Sequence, residues 1–90
     1  MDFTIFMTVT AKNDLAKIPI KEARKVVEKI DFFIRSGNPL KFAKSLGGIL
    51  QGKYRFRVGV YRIIFYLDNR GVVQILTILN IRHRKDVYKL

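Results

Sequence analysis

The stretch YRFRVGVYR, residues 54–62, contains three arginines and no carboxylate: Arg55, Arg57 and Arg62. A guanidinium group binds phosphate oxygens through paired N–H donors, with a geometry that an ammonium group lacks. Preorganised cations also stabilise the negative charge that develops on a phosphorus atom under attack. The grouping therefore indicates a site for a phosphodiester.

The same stretch is typical of a hairpin closed by a two-residue loop at Gly59-Val60. Such a loop predicts that Val58 pairs with Tyr61 and that Arg57 lies opposite Arg62. Like charges directly across a ladder destabilise it, so the pairing has a cost that an anionic ligand would relieve.

The stretch RHRKDVY, residues 82–88, brings a second set of candidate groups. RNA carries its own nucleophile, the 2′-hydroxyl, so an RNA-cleaving site needs in-line positioning, a proton acceptor, a proton donor and charge stabilisation. Arg82, His83 and Tyr88 could supply these together with the hairpin. His83 on its own is more typical of a solvated tail residue. Three further basic residues are candidates for RNA binding: Lys53, Arg84 and Lys85.

The 90 residues carry a formal charge of +11. Residues 1–52 hold nine basic and five acidic groups, whereas residues 53–90 hold nine basic and two acidic groups. This balance favours a polyanionic partner, namely nucleic acid, an anionic membrane surface or an acidic protein. A merely soluble basic surface is the alternative.

Several kinds of site are poorly supported by the sequence. One histidine, no cysteine and scattered carboxylates predict no metal site, and we expect no cofactor. The glycines at 47, 48 and 52 lack the Lys-Ser/Thr of a phosphate-binding loop. No apolar run approaches the eighteen or more residues of a membrane helix, and no secretory signal is evident. We therefore expect a cytoplasmic protein without a membrane partner.

The positions of the elements follow from hydrophobic spacing and from the turn residues. We predict a first strand over residues 2–9, a short helix over 11–17 capped by Thr10, and an amphipathic helix from residue 20 to near Ser36. Its apolar stripe is expected to be core: Ile20, Ala23, Val26, Val27, Ile30, Phe33 and Ile34. A turn of helix is expected over 40–46, followed by strands at 53–58, 61–67 and 72–81 with a loop over 68–71.

This order predicts a single domain over residues 1–90 of the α+β class. An N-terminal strand and a helical hairpin precede a three-stranded antiparallel meander, and all strands form one sheet with the helices on one face. The other face is left to bind a partner. The last strand should be central and covered on both faces, and neither Gln74 nor Thr77 can be assigned to the face of Arg62 by pattern.

The chain resembles the RelE toxins of toxin–antitoxin pairs, within the RelE/ParE superfamily, over nearly its whole length. The resemblance covers TAKNDLAKIP, PLKFAKSLGG, GKYRFRVGVYRIIFYLD and IRHRKDVYKL. Two parts of the resemblance are specific. The first is a pair of basic residues, separated by one residue, ahead of "YR", and the second is a final R-x-R-x-x-VY pattern. RelE toxins resemble microbial ribonucleases in fold and cut mRNA at the ribosomal A site through the 2′-hydroxyl.

Carried over by motif, the resemblance implies catalytic roles for five residues: Arg55, Arg57, Arg62, Arg82 and Tyr88. Arg57 and Arg62 would stabilise the phosphate, and Arg82 would act at the leaving oxygen. Tyr88 would stack on a base or assist proton transfer. The best-studied pattern has lysines at the paired positions. Arginine there is a good phosphate clamp but a poor proton shuttle, which would shift acid–base work to Tyr88, His83 or the ribosome.

The resemblance also implies partners: a cognate acidic RelB-like antitoxin, mRNA in the ribosomal A site, and ribosomal RNA. The activity it implies is that of a metal-independent endoribonuclease that inhibits translation. Two alternatives stay open, a ParE-like toxin that inhibits DNA gyrase and a non-catalytic RNA-binding module.

Overall fold

The computed structural model describes residues 2–71 and 73–85. Its helices and strands are, in chain order, β1 (Asp2–Met7), α1 (Val9–Ala16), α2 (Ile20–Arg35), β2 (Ala43–Ser45), β3 (Tyr54–Val58), β4 (Tyr61–Arg70) and β5 (Val73–His83). Short 3-10 helices at Pro39–Phe42 and Gly48–Leu50 flank β2.

The five strands form one sheet in the order β1-β5-β4-β3-β2. β1 runs parallel to β5, and the remaining neighbours are antiparallel. The predicted α+β class with helices on one face is confirmed. Two local predictions were wrong. Residues 43–45 of the expected helical turn form β2, which pairs with β3, and β4 continues through the expected 68–71 loop to Arg70.

The core lies between α2 and one face of the sheet. Its buried members are Ala11, Val26, Ile30, Phe33, Phe56, Val58, Ile63, Phe65, Leu76, Ile78 and Ile81. The expected helical stripe is only partly buried, because Ile20 is 70% exposed and Val27 is 50% exposed. These two residues lie at the edge of the stripe, beyond the width that the sheet covers. No helix among the described residues is long and apolar enough to cross a membrane.

The first helix begins earlier than predicted, and Thr8 rather than Thr10 is its N-cap. The Thr8 hydroxyl accepts a hydrogen bond from the Ala11 amide at 3.1 Å and donates one to the Leu79 carbonyl at 2.8 Å. Asp14 accepts a hydrogen bond from the Ile81 amide at 3.0 Å. α1 is therefore anchored at two points to the same part of β5.

That part of β5 contains an irregularity in its pairing with β4. Ile64 lies opposite Asn80, but the next residue of β4 lies opposite Ile78, so Leu79 is an extra residue. A bulge of this kind leaves its carbonyl without a ladder partner, and the Thr8 hydroxyl supplies one. Because of the bulge, Thr77 shares a face with Arg62, which the alternation of residue types could not reveal.

β5 lies inside the sheet, as predicted, but the helices cover only one of its faces. On the uncovered side Thr77 is buried at 6% exposure, opposite Phe6 of β1 and Tyr66 of β4. The expectation that this strand is covered on both faces was therefore met only in part, because Thr77 is buried although the helices pack on the other side. We call this uncovered surface the open face; its central residues are Arg55, Arg57, Arg62, Ile64, Tyr66, Thr77 and Arg82.

Candidate active site

The hairpin of β3 and β4 positions the first arginines of the site. Val58 pairs with Tyr61 and Arg57 with Arg62, as the sequence predicts. Gly59 has φ +58, and no residue other than glycine has a positive φ among the described residues. A positive φ at the first loop position alone matches a type II′ turn, whose twist suits the strands it joins.

Alternation along the strands sends the arginines to the open face. Phe56 and Val58 of β3 are buried against the helices, so Arg55 and Arg57 point the other way. Phe56 is fully buried, and Tyr54 and Tyr61 pack against the core. These aromatic residues are thus core residues and not base-stacking platforms on the open face.

Three arginines form a row across three neighbouring strands. Arg57 of β3 lies opposite Arg62 of β4, which in turn lies opposite Arg82 of β5. With strands about 4.8 Å apart, the row spans about 10 Å between its outer Cα atoms. Arg57 is exposed, whereas Arg62 and Arg82 are half-buried. We call these three residues the arginine row.

Arg55 lies on the same face, one step along β3 from the row. It pairs with Ile64 on one side and with Lys44 of β2 on the other. Lys44 therefore adds a cation to the open face that the sequence did not single out, because the strand that carries it was expected to be helical.

The start of the C-terminal tail is held against the hairpin turn. The Arg84 amide donates a hydrogen bond of 2.7 Å to the Val60 carbonyl. A cavity of about 120 Å³ lies beside this contact, lined by Arg57, Gly59, Val60, Arg62 and Arg84. We call this cavity the phosphate cup, because its size and its three guanidinium groups suit a single phosphate group.

His83 lies on the side of the sheet opposite to the arginine row. It pairs with Tyr61, and the two rings meet edge to face with centroids 5.6 Å apart. Its Nδ1 accepts a hydrogen bond from the Lys85 amide at 3.2 Å. The ring borders a cavity of about 360 Å³ that Asp14 and Lys17 also line. Arg82 lines the same cavity, but the structure does not bring His83 together with Arg57 and Arg62.

Tyr61 takes part in a contact that the sequence did not indicate. Its hydroxyl donates a hydrogen bond of 2.6 Å to Glu22 Oε2. This hydrogen bond to the carboxylate, followed by burial and by the charge of Glu22, raises the pKa of Tyr61. No local pattern could have revealed the pair, since its members are 39 residues apart.

Lys53 and Lys85 are not gathered at the row. Lys53 precedes β3 and lies about 13 Å from Arg57 along the strand, at the end of the hairpin away from the turn. Lys85 is exposed beyond the end of β5. Tyr88 lies outside the described residues. Within residues 2–71 and 73–85, no group of three His, Asp or Glu side chains is placed to hold a metal ion.

Comparison with known proteins decides the family. The family described as "ParE toxin of type II toxin-antitoxin system, parDE" matches residues 5–88. The chain belongs to the RelE/ParE superfamily of type II toxin–antitoxin toxins. It is 35% identical over 89 residues to toxin RelG of Mycobacterium tuberculosis, covering 99% of each chain.

Two further comparisons agree with this assignment. Toxin RelE of the same organism is 30% identical over 88 residues, which are 98% of this chain and 88% of that toxin. Among solved structures, the toxin–antitoxin complex RelBE2 of M. tuberculosis contains a chain that superimposes with a TM-score of 0.77 at 32% identity. The match covers 93% of this chain and all of that one. The chain is therefore a type II toxin with the fold of the RelE toxins.

Proposed function

We propose that this toxin is a ribosome-dependent mRNA endoribonuclease that inhibits translation. The observation that carries the proposal is the arginine row, three guanidinium groups aligned across β3, β4 and β5 on the face that the helices leave uncovered. Aligned cations of this kind can hold a phosphodiester and stabilise the charge of its pentacoordinate transition state.

The reaction follows from the chemistry of RNA. The 2′-oxygen attacks the adjacent phosphorus as its proton is removed, and the bond to the 5′-oxygen of the next nucleotide breaks as that oxygen gains a proton. The products are a 2′,3′-cyclic phosphate and a 5′-hydroxyl. Arg57 and Arg62 hold the non-bridging oxygens, Arg82 stabilises the leaving oxygen, and Arg55 binds the backbone beside them. No metal ion is needed for these roles.

Proton transfer is assigned away from the arginines, because a guanidinium group stays protonated. His83 lies on the opposite side of the sheet and points towards Tyr61, so it is not our candidate for this role. Tyr88 or a group of the ribosome takes it. Lys53, Arg84 and Lys85 contribute charge for messenger and ribosomal RNA.

A RelB-like antitoxin is the proposed protein partner. The solved relative RelBE2 is a toxin–antitoxin complex, and the shared fold supports an equivalent complex for this chain. With a charge of +11, the toxin favours an acidic antitoxin, and the open face offers that partner a cluster of cations. Both partners would meet in the cytoplasm.

The second candidate is a toxin that inhibits DNA gyrase. The description of the matching family favours it, since that family is named for the ParE toxin. The arginine row favours the nuclease, because inhibition without RNA cleavage does not require three aligned guanidinium groups.

Expression of the chain in growing cells separates the two candidates. We expect the unaltered toxin to cut translated mRNA at positions phased with codons. Arg62→Ala and Arg82→Ala should each lower the frequency of these cuts on the order of 100-fold or more. The matched control is Arg24→Ala, because Arg24 is an exposed arginine on α2. This variant should cut mRNA as often as the unaltered toxin does. Intact mRNA together with DNA breaks and stalled replication would support the gyrase inhibitor instead.

A further inference from the structure

Two cavities meet at the turn between β3 and β4. The phosphate cup lies on the side of the open face, and a groove of about 380 Å³ lies on the side of α2. The groove is lined by Lys25, Glu28, Lys29, Phe32, Val58 and Gly59. Gly59 borders both cavities, so both reach the tip of the hairpin.

The chemistry of the groove differs from that of the cup. Phe32 is 56% exposed, and its ring meets those of Phe33 and Phe42 edge to face with centroids 6.0 and 5.7 Å apart. Lys29 Nζ lies 5.7 Å from the centroid of the Phe32 ring, and Val58 supplies a further apolar contact. An exposed aromatic ring with a nearby cation is a platform on which any nucleobase can stack.

Gly59 leaves room for a ligand to pass from the cup to the groove. It has no side chain, and no atom lies within 4 Å of the place where a Cβ atom would stand. The Arg84–Val60 hydrogen bond holds the arginine side of the passage in place. Between the phosphate cup and the groove, the turn therefore carries no side chain at Gly59 that would block a ligand.

We propose that the turn between β3 and β4 is a nucleotide subsite, in which the phosphate occupies the cup and the base of the same nucleotide stacks on Phe32. The proposal rests on the proposed function, because the ligand is a nucleotide of the RNA next to the phosphate that is cut. It adds Arg84 and Phe32 as positioning residues and assigns α2 a part in substrate binding.

The charges of the groove favour a base over an acidic peptide. Lys25 and Lys29 are offset in part by Glu28, so the groove is far less cationic than the cup. The groove keeps one net positive charge against three in the cup, so it attracts a carboxylate-rich segment much less than the cup does. A base is uncharged, and Glu28 can accept a hydrogen bond from an exocyclic amine.

Binding of three small probes to the full chain tests the subsite without any need for cleavage. The probes are adenosine 5′-monophosphate, ribose 5-phosphate and inorganic phosphate. Their binding is measured by calorimetry and by changes in the amide resonances of Gly59 and Val60. We expect the adenosine nucleotide to bind about fivefold or more tightly than ribose 5-phosphate, which lacks the base. Phe32→Ala should abolish this difference and leave ribose 5-phosphate binding unchanged, and Phe32→Tyr should restore it.

Matched controls separate the two halves of the subsite. Val27→Ala removes another exposed apolar side chain of α2 and should keep the preference for the nucleotide. Arg84→Ala should weaken all three probes, whereas Arg24→Ala, which removes the same charge from an exposed position on α2, should not.

Equal binding of the nucleotide and the sugar phosphate by the unaltered chain would overturn the proposal, as would equal behaviour of Phe32→Ala and Val27→Ala. A Phe32→Ala chain that loses affinity for an antitoxin but not for the nucleotide would assign the groove to the antitoxin and also overturn it. Failure of the proposed nuclease function is seen separately, as intact mRNA in cells whose purified toxin still discriminates between the probes.

Discussion

Arg57 and Arg62 lie directly opposite each other in the ladder of β3 and β4, and only the Val58–Tyr61 pair separates them from the turn. Arg82 continues the row on the far side of Arg62. Such an arrangement stores repulsion in the free protein, and a bound phosphate or carboxylate relieves it. The charge that is expected to destabilise the free sheet is thus the charge that we propose binds the RNA phosphate.

Arg57→Gln should therefore stabilise the free toxin while it lowers activity. Removal of one like charge from a cross-strand pair is expected to raise the free energy of unfolding by roughly 0.2–1 kcal/mol at low salt. The gain should shrink as salt screens the charges. Urea unfolding at two salt concentrations measures it, and the cutting assay should show a loss on the order of 100-fold.

Arg35→Gln is the control of opposite sign for this experiment. Arg35 forms an exposed ion pair with Asp31 at 3.0 Å, so its loss should cost about 0.3–0.5 kcal/mol and leave cutting unchanged. If Arg57→Gln destabilised the protein as Arg35→Gln does, the repulsion across the row would not be significant.

The hydroxyl of Thr8 should contribute more to the free energy of unfolding than the hydroxyl of an exposed threonine does. Thr8→Val keeps the branched shape but leaves the Ala11 amide and the bulged Leu79 carbonyl without their partner. We expect a loss of about 1–2 kcal/mol in the free energy of unfolding, measured by urea denaturation. Thr10→Val, at an exposed position inside α1, should change it by less than about 0.5 kcal/mol. Equal effects at the two positions would show that Thr8 is not the cap.

The register of the hairpin was predictable, and the position of Arg82 in the row was not. Gly59-Val60 fixes the Arg57–Arg62 pair through local turn geometry alone. The Arg62–Arg82 pair depends instead on the bulge at Leu79, which Thr8 and Asp14 secure from 71 and 67 residues away. The side of the sheet on which His83 lies follows from the same register. Hydrogen bonds between residues far apart in the chain thus set the register of Arg82, which composition and alternation do not predict.

Gly59→Ala should destabilise the hairpin through its backbone. The residue has φ +58, in the left-handed region, whereas nothing lies within 4 Å of an added Cβ atom. The expected loss of about 1–2 kcal/mol in unfolding free energy therefore reflects the backbone conformation and not a clash. Gly47→Ala is the matched control, since Gly47 has φ −117 and also has open space around it. A loss at Gly47 as large as that at Gly59 would contradict this explanation.

Tyr61 should make part of the stability of the toxin depend on pH in the alkaline range. The hydrogen bond that its hydroxyl donates to Glu22 raises the pKa of Tyr61, so the folded chain holds this proton more tightly than the unfolded chain does. The contribution is fully present below the unfolded pKa of about 10 and is lost as pH rises through the higher folded value. The difference in unfolding free energy between the unaltered chain and Tyr61→Phe should accordingly shrink between pH 9 and about pH 12. Glu22→Gln should move the spectroscopic titration of Tyr61 back towards 10, and a difference that did not vary with pH would show that the Tyr61–Glu22 bond does not form in solution.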